Sequence, residues 1–389
     1  MFVDLMLRRL AGNEPVTMID LCAAPGGKST AARAALPEGS LLISNEPIRA
    51  RAQILAENLL KWGDRDVIVT NSYPKDFAGS GIVADVILAD VPCSGEGMFR
   101  KDDTAIHEWS LKNVDKCARL QREIVAEAWM CLKPGGLLIY STCTFNTAED
   151  EENIRFIAQT LGGEVIDLGV EDGWRITGSL LKGFDLPVYR FIPGTTKGEG
   201  LFMAALRKGG EEQQPKVAYK KKKARTKGND KAKEHIDDAI KLWLRSPDEY
   251  DIIRSGESLA AIPKAWRPTY DLAAKHLRVM HAGIPLCEMK GKSAIPAHAV
   301  ALSTATDLSA FGRAELTYAQ AVSYLRKEAV ALPPDVPTGY VVVTYKGVPL
   351  GFEKNIGNRA NNLYPQEWRI KGTHVPDADN NIIRKKQDA

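Results

Sequence analysis

The first half of the chain alternates short apolar runs with segments of helical spacing, and this alternation limits the folds open to it. The runs have the length of buried strands, and several are followed by stretches whose apolar residues recur every three or four positions. Strands that alternate with helices build a mostly parallel sheet with helices on both faces. We therefore predict an α/β domain with a doubly wound sheet. The runs lie at 16–21, 41–45, 67–70, 84–90 and 137–141.

Composition narrows the class of protein further. With 389 residues, 44% of them hydrophobic, the chain is long enough for two or three domains with their own cores. Its six cysteines form no C-x-x-C pair and histidine is scarce, so we expect no metal site. It shows no signal-peptide pattern and no apolar run of about 18 residues. We expect a cytoplasmic protein with reduced thiols and no membrane contact.

The charge pattern suggests where domains end. Between Gly209 and His235 there are nine Lys or Arg residues and four Asp or Glu residues, with few apolar ones, which is typical of a solvated linker. After it the sequence pattern changes to short helical and strand segments. We predict five parts: a catalytic domain at 1–208, a basic linker at 209–235, a helical connector at 236–285, a small α+β module at 286–373 and a polar tail at 374–389.

The loop after the first strand, residues 20–30, reads DLCAAPGGKST and is a candidate ligand site. Small residues let a ligand approach the backbone, and the start of the following helix offers free N–H groups to an anion. A Walker A loop would need glycine where Cys22 stands, and the dinucleotide fingerprint G-x-G-x-x-G is absent. A loop for S-adenosyl-L-methionine (SAM) and a plain strand–helix turn remain. The candidate contacts are Cys22, Ala23, Ala24, Pro25, Gly26, Gly27 and Lys28.

An acidic residue follows the second strand at once. Glu46 is placed to accept hydrogen bonds from both hydroxyls of a ribose, as in dinucleotide-binding folds. The alternative is a solvent-facing acid at a helix start, which the helix dipole favours. Arg51 either supports Glu46 or the cofactor carboxylate, or is a surface residue.

Two cysteines lie just past the ends of predicted strands. Cys93 follows Asp90 in DVPCSG, and Cys143 lies in STCT. Ligands bind at the carboxyl ends of strands in open α/β sheets, and a thiolate is a strong nucleophile. A thiolate suits an inert target such as a pyrimidine ring, where it adds to carbon 6 and activates carbon 5, while Asp90 holds the edge of cytosine. The alternative is a small buried apolar residue, which accounts for the other cysteines better.

These motifs together resemble a known family. CAAPGGKST, Glu46, DVPCSGEGMFRKD and YSTCTFN, within residues 16–208, resemble the Sun (Fmu) family of RNA cytosine-5 methyltransferases. The text at 351–355 and 361–365 is similar to the PUA-like RNA-binding module of its RsmF-type bacterial members. The resemblance implies a Rossmann-like, SAM-dependent methyltransferase sheet and a C-terminal PUA-like module.

The resemblance also implies roles that spacing leaves open. It makes Cys143 the nucleophile and Cys93 the residue that helps to resolve the covalent adduct. SAM would contact the loop at 22–28, Glu46 and Asp90, and Lys28 would favour the thiolate of the nucleophile. The implied product is 5-methylcytosine in RNA, with small-subunit ribosomal RNA expected, transfer RNA as the alternative, and no DNA.

Two departures from the family pattern carry expectations of their own. The usual Asp near the adenine amine falls at Tyr73, with Asn71 or Ser72 as substitutes. The chain begins with text typical of the middle of a helix, and we expect it to lack the RNA-binding segment that precedes the catalytic domain in relatives. A second hypothesis follows: a catalytically impaired RNA-binding or ribosome-assembly protein on a methyltransferase fold.

Overall fold

The computed structural model describes residues 2–210, 238–291 and 293–372. The chain forms two compact units. The first unit comprises 1–59, 66–232 and 263–283, and the second comprises 60–65, 233–262 and 284–389. The predicted linker at 209–235 lies almost wholly outside the described residues, and so does the tail at 374–389. No helix among the described residues is long and apolar enough to cross a membrane.

The secondary structure has the following bounds. The helices are α1 Phe2–Leu10, α2 Gly27–Ala35, α3 Arg49–Trp62, α4 Pro74–Ala78, α5 Asp103–Glu108, α6 Leu111–Cys131, α7 Glu151–Thr160, α8 Asp238–Lys241, α9 Arg267–His276, α10 His298–Leu302 and α11 Tyr318–Leu325. The strands of the first half are β1 Thr17–Asp20, β2 Leu41–Asn45, β3 Val67–Thr70, β4 Ala84–Asp90, β5 Leu132–Thr142, β6 Gly163–Val165, β7 Tyr189–Phe191 and β8 Leu201–Lys208. The later strands are β9 Tyr250–Ser255, β10 Ser258–Pro263, β11 Val279–Ala282, β12 Ile284–Lys290, β13 Ser293–Pro296, β14 Gly312–Glu315, β15 Gly339–Tyr345, β16 Val348–Asn355 and β17 Ala360–Asn362.

One mixed sheet organises the first unit. Its strand order is β11-β3-β2-β1-β4-β5-β8-β6, with β7 also paired to β8. Strands β1 to β5 are parallel, and β6, β7, β8 and β11 pair antiparallel. Met18 and Ile19 are both fully buried although successive strand residues face opposite sides, so β1 is covered on both faces. The predicted doubly wound α/β sheet is confirmed.

Helix α1 belongs to the core of this unit. Its buried residues Val3, Met6 and Leu7 recur at helical spacing and join the cluster formed by α2, α3 and one face of the sheet. Full burial of a leucine contributes about 1.5–3 kcal/mol, so the apolar stripe of α1 is enough to hold the helix in place.

The predicted helical connector at 236–285 is wrong as a description of that segment. It contains strands β9, β10 and β11 besides helices α8 and α9. Helix α9 begins at Arg267, where Pro268 suits the first turn, and it ends at His276. Strand β11 then pairs with β3 as the edge of the first sheet. A four-residue strand whose partner lies about 200 positions away carries too little local pattern to be recognised.

The second unit contains two four-stranded sheets, ordered β13-β12-β10-β9 and β14-β15-β16-β17. Strands β15 and β16 form a hairpin, and its turn places Lys346 at φ 52° and Gly347 at φ 75°. Positive φ at both central residues matches the right-handed twist of the flanking strands. The α+β character predicted for the C-terminal module is confirmed.

Candidate active site

The loop between β1 and α2 provides an open backbone surface. Gly26 has φ 113° and lies 3.3 Å from Leu55 Cδ1, measured from the position a Cβ would take, so a side chain there is disfavoured twice. Gly27, at the first position of α2, faces open space. Asn58 and Arg51 of α3 hold the loop by donating to the carbonyls of Pro25, at 2.7 Å, and of Ala24, at 3.0 Å. The free N–H groups at the start of α2 are therefore presented to a ligand.

Two buried carboxyl groups next to this loop have spare acceptor oxygens. Asp20 accepts from Ser29 Oγ at 2.7 Å through Oδ2, whereas its Oδ1 has no hydrogen-bond partner among the described residues. Burial raises the pKa of Asp20 to about 7. Glu46 accepts from the N–H of Ile48 at 3.0 Å, and its Oε2 lies 3.5 Å from Arg51 without a hydrogen bond. These oxygens, the open backbone at Gly27 and the free N–H groups fit a cofactor with hydroxyl, ammonium and carboxylate groups.

The three residues predicted near the adenine, Tyr73, Asn71 and Ser72, differ in their exposure and their hydrogen bonds. The side chain of Tyr73 is 61% exposed, and the residue caps helix α4. Asn71 lies closest to the predicted ribose acid, because its amide donates to the carbonyls of Glu46 and Pro47, both at 2.8 Å. The N–H of Ser72 donates to Asn45 at 3.0 Å. Asn71 is therefore placed beside Glu46, the predicted ribose-binding residue, and Tyr73 is exposed.

The two cysteines that follow strands β4 and β5 are brought together. Cys93 Sγ and Cys143 Sγ are 3.0 Å apart, and both residues are half-buried. The strands are neighbours, with Asp90 opposite Ser141, so the loops after them start side by side. The N–H of Gly97 donates to the carbonyl of Cys143 at 2.7 Å. A Cβ at Gly97 would lie 2.5 Å from that carbonyl oxygen, so this contact requires glycine.

A lysine–aspartate pair lies beside the thiols. Lys28 Nζ is 2.8 Å from Asp90 Oδ2, and Ser141 Oγ donates to Asp90 Oδ1 at 2.8 Å. The hydrogen bond from the Cys93 thiol lowers the pKa of Cys143 against the effect of burial, and Lys28 acts in the same direction. The same hydrogen bond, with burial, raises the pKa of Cys93. Burial alone would lower the pKa of Lys28, but Asp90 outweighs it and the pKa is raised. The pair therefore favours a thiolate at Cys143 and a protonated thiol at Cys93.

The pKa of Cys22, the first residue of the candidate cofactor loop, is raised, whereas the pKa of Cys143 is lowered. Burial raises it, and the carboxylates of Asp20, Asp90 and Glu46 raise it further. Cys22 therefore stays a neutral thiol and contributes shape, not charge, to the loop.

Glu149 connects the loop of Cys93 with the loop of Cys143. Only one of its contacts has a local sequence signal. Its carboxylate accepts from the N–H of Ser94 at 3.0 Å, from Gln121 Nε2 at 2.6 Å and from Asn146 Nδ2 at 2.8 Å. Gln121 also donates to the carbonyl of Pro92 at 2.9 Å. One buried carboxylate therefore fixes both loops. The pairing of Asn146 with Glu149 has a local sequence signal, whereas the role of Gln121 in helix α6 has none.

A buried arginine of β7, paired with two buried carboxylates, supports the Cys143 loop. Arg190 is fully buried, 2.8 Å from Asp150 and 2.7 Å from Glu151 at the start of helix α7. Burial raises the pKa of Asp150, while Arg190 overcomes the effect of burial and lowers the pKa of Glu151. Arg190 also donates to the carbonyl of Phe145, two residues beyond the nucleophile candidate, at 3.4 Å.

Comparison with known proteins identifies the family. The profile described as 16S rRNA methyltransferase RsmB/F matches residues 7–207, which is more than half of the chain. The chain belongs to the RsmB/F methyltransferase family. A second profile, the PUA domain of methyltransferase RsmF, matches residues 312–370. The predicted family, the Rossmann-like methyltransferase fold, the PUA-like module and the SAM cofactor are thereby confirmed.

Individual relatives agree with this assignment. The chain is 31% identical over 367 residues to the ribosomal RNA small subunit methyltransferase F of Aliivibrio fischeri (strain MJ11), covering 92% of this chain and 75% of that protein. It is 30% identical over 370 residues to the protein of the same name from Cronobacter sakazakii, covering 92% and 74%. Among solved structures it is similar to NSun6 from Pyrococcus horikoshii with SFG, at 30% identity and a TM-score of 0.47, covering 54% of this chain and 52% of that one.

Proposed function

We propose that this RsmB/F family member methylates carbon 5 of cytosine in small-subunit ribosomal RNA through a covalent adduct on Cys143. The observation that carries the proposal is the thiol pair at 3.0 Å beside the Lys28–Asp90 ion pair at 2.8 Å. A methyltransferase that acts on an amine needs no thiol at this place, whereas an inert ring carbon needs a nucleophile to activate it.

The residues that would hold SAM are those of the loop at 22–28 with Glu46 and Asp90. When bound, SAM supplies an electrophilic methyl group. The free N–H groups at the start of α2 suit its carboxylate, and the spare oxygen of Glu46 suits a ribose hydroxyl. Arg51 bridges the loop and Glu46, so we assign it to positioning both.

Cys143 starts the reaction on the RNA. Its thiolate adds to carbon 6 of the cytosine, and the electron pair of the 5,6 double bond moves to carbon 5. Asp90 accepts a hydrogen bond from the exocyclic amine, which selects cytosine over uracil. Lys28 forms an ion pair with Asp90 and favours the thiolate of Cys143.

Cys93 completes the cycle. After carbon 5 is methylated, its proton passes to solvent water acting as the base. The electron pair of the broken C–H bond restores the 5,6 double bond as the bond between sulfur and carbon 6 breaks, and the Cys143 thiolate leaves. Cys93 Sγ lies 3.0 Å from the sulfur that leaves, so we assign adduct release to it.

RNA recognition requires more than the catalytic loops. The ring of a stacked cytosine is inaccessible, so the base must be flipped out or single-stranded. We assign RNA binding to the PUA-like module at 286–373 and non-specific attraction to the basic stretch at 209–235. Affinity should then fall with salt in proportion to the phosphates contacted. Such a substrate places the protein in the cytoplasm.

The proposal is tested by bisulfite sequencing of total cellular RNA, with ribosomal and transfer RNA both covered, from cells that carry or lack the gene, complemented with wild type, Cys143→Ala or Cys93→Ala. One cytosine should lose methylation without the gene and regain it with wild type only. Normal methylation by Cys143→Ala would refute the nucleophile. Methylation of a transfer RNA instead would refute the substrate. No SAM binding in calorimetry would favour the catalytically impaired alternative.

A further inference from the structure

The two strand-tip sulfurs are placed for a reaction with each other. Cys93 Sγ and Cys143 Sγ are 3.0 Å apart although the residues are separated by 50 positions in the chain. A disulfide bond has a length of about 2.0 Å, so bonding requires the sulfurs to approach by only about 1 Å. Both residues are half-buried, so a small oxidant reaches them.

The backbone on both sides of the pair already holds the loops together. The N–H of Val91 donates to the carbonyl of Ser141 at 3.0 Å, ahead of the thiols. Beyond them, Ser94 Oγ lies 3.2 Å from Thr144 Oγ1, and Gly97 is bonded to the Cys143 carbonyl. These contacts hold the two loops side by side, with the sulfurs 3.0 Å apart.

The two sulfurs also have unequal roles. Lys28 and the Cys93 thiol both favour the thiolate of Cys143, and a thiolate is the form that reacts with peroxides. Cys93 keeps a proton and lies next to the sulfur that would be oxidised. A low-pKa cysteine beside a second thiol is the arrangement found in cysteines that oxidise reversibly.

We infer that Cys93 and Cys143 form a site of reversible oxidation that takes a hydroperoxide as its oxidant. The Cys143 thiolate attacks the peroxide oxygen, the O–O bond breaks, and Cys143 becomes a sulfenic acid while hydroxide or an alkoxide leaves. The Cys93 sulfur then attacks the Cys143 sulfur, the S–O bond breaks, and water leaves with the Cys93 proton. The product is an intramolecular disulfide, two electrons more oxidised than the dithiol, which a small thiol or a dithiol reductant reverses.

The consequence is protection of the nucleophile at the cost of activity. A sulfenic acid without a resolving thiol is oxidised further to sulfinic acid, which thiols do not reduce. The disulfide stops this, so the protein is inactive while oxidised and recovers after reduction. In this state neither sulfur is available for the proposed methylation of RNA. The oxidation itself depends only on the positions of the thiols.

The test uses the full, reduced chain and hydrogen peroxide as the probe. After a brief exposure, free thiols are blocked with N-ethylmaleimide, and intact mass and non-reducing peptide maps are recorded. We expect a mass loss of two hydrogens, a peptide linking Cys93 to Cys143, and about tenfold lower reactivity of Cys143 towards the maleimide that dithiothreitol restores. A map that links Cys143 to Cys22, or one that shows Cys143 sulfinic acid without a disulfide, would overturn the inference.

Two variants sharpen the test. Cys93→Ser should give a Cys143 sulfenic acid that dimedone traps and that proceeds to the irreversible sulfinic form. Cys117→Ala, which removes another half-buried cysteine on helix α6, should oxidise like wild type. These readouts need neither RNA nor SAM. An intact disulfide response in a protein that makes no RNA adduct would therefore reject only the proposed function, and adduct formation without a disulfide would reject only this inference.

Discussion

In the part of the chain that the structure describes, buried ionisable groups around Arg190 in the first unit are partnered, whereas Glu353 and His298 in the second unit are not. In the first unit Arg190 is fully buried but paired with Asp150 and Glu151 at 2.8 and 2.7 Å. In the second unit Glu353 is fully buried and neither carboxylate oxygen has a hydrogen-bond partner among the described residues; both ring nitrogens of His298 are likewise unpartnered. Burial raises the pKa of Glu353 to about 7 and lowers that of His298 to about 4. Paired charges hold a site in place, whereas unpaired groups become neutral.

The largest effect is expected from breaking the paired cluster. Arg190→Met leaves two buried carboxylates without their cation, and removing one partner of a buried ion pair costs about 3–5 kcal/mol. Urea-induced unfolding of each variant and of the wild type measures the free energy of unfolding. Arg155→Gln is the matched control, because its pair with Glu152 lies at the surface and is worth about 1 kcal/mol or less. If both variants lost the same free energy of unfolding, the buried pairing at Arg190 would contribute no more than the ion pair at the surface.

The stability of the second unit should depend on pH through its unpartnered buried groups. Glu353 has a folded pKa of about 7 against an ordinary value of 4.5, so the folded state binds the extra proton between these values and stability falls as pH rises through this window. Glu353→Gln should remove this loss, which is about 1–3 kcal/mol at pH 8. Unfolding free energies at pH 5 and pH 8 measure it.

His298 gives the opposite dependence and serves as the counterpart. Its folded pKa of about 4 lies below the ordinary 6.5, so the unfolded state binds more protons and stability is lost as pH falls through that window. His298→Gln should therefore stabilise at pH 5 relative to wild type and leave the value at pH 8 nearly unchanged. If both variants shifted stability equally at the two pH values, unpaired burial would not be the cause.

The smallest effect concerns the charge next to the thiols. Lys28→Gln leaves Asp90 without its cation, so the pKa of Cys143 should rise and its alkylation by iodoacetamide at pH 7 should slow about tenfold. The control is Lys133→Gln, which removes a similar ion pair, with Asp85 at 2.6 Å, at the opposite end of β4. If the two variants slowed the alkylation of Cys143 equally, the charge of Lys28 would not be the cause of its reactivity.

The comparison also explains what the sequence could predict. Strands β1 to β5 have strong local patterns, and cysteines placed after neighbouring strands must meet at one edge, so the sheet and the pairing of Cys93 with Cys143 were accessible. The helical connector predicted at 236–285 does not include strand β11, because its partner β3 is remote in sequence. Partners such as Gln121 and Arg190 could not be assigned, since a buried polar residue carries no sequence mark of which charge it contacts.

The unpartnered groups of the second unit escaped prediction for the same reason. Glu353 is buried together with Gly351 and Phe352, which precede it in β16, and nothing in these neighbours distinguishes a solvated carboxylate from a buried one. Only the packing of distant segments, such as helix α11 with Tyr324, decides its environment.

The central claim is that the sulfur of Cys143 bonds to the pyrimidine ring. It is tested most directly with small-subunit ribosomal RNA that contains 5-fluorocytidine, because carbon 5 then has no proton to lose and the adduct persists. With SAM present, the protein should form a complex stable to denaturation, and peptide mapping should place the nucleotide on Cys143. Absence of the complex, or a nucleotide attached to Cys93, would contradict the account.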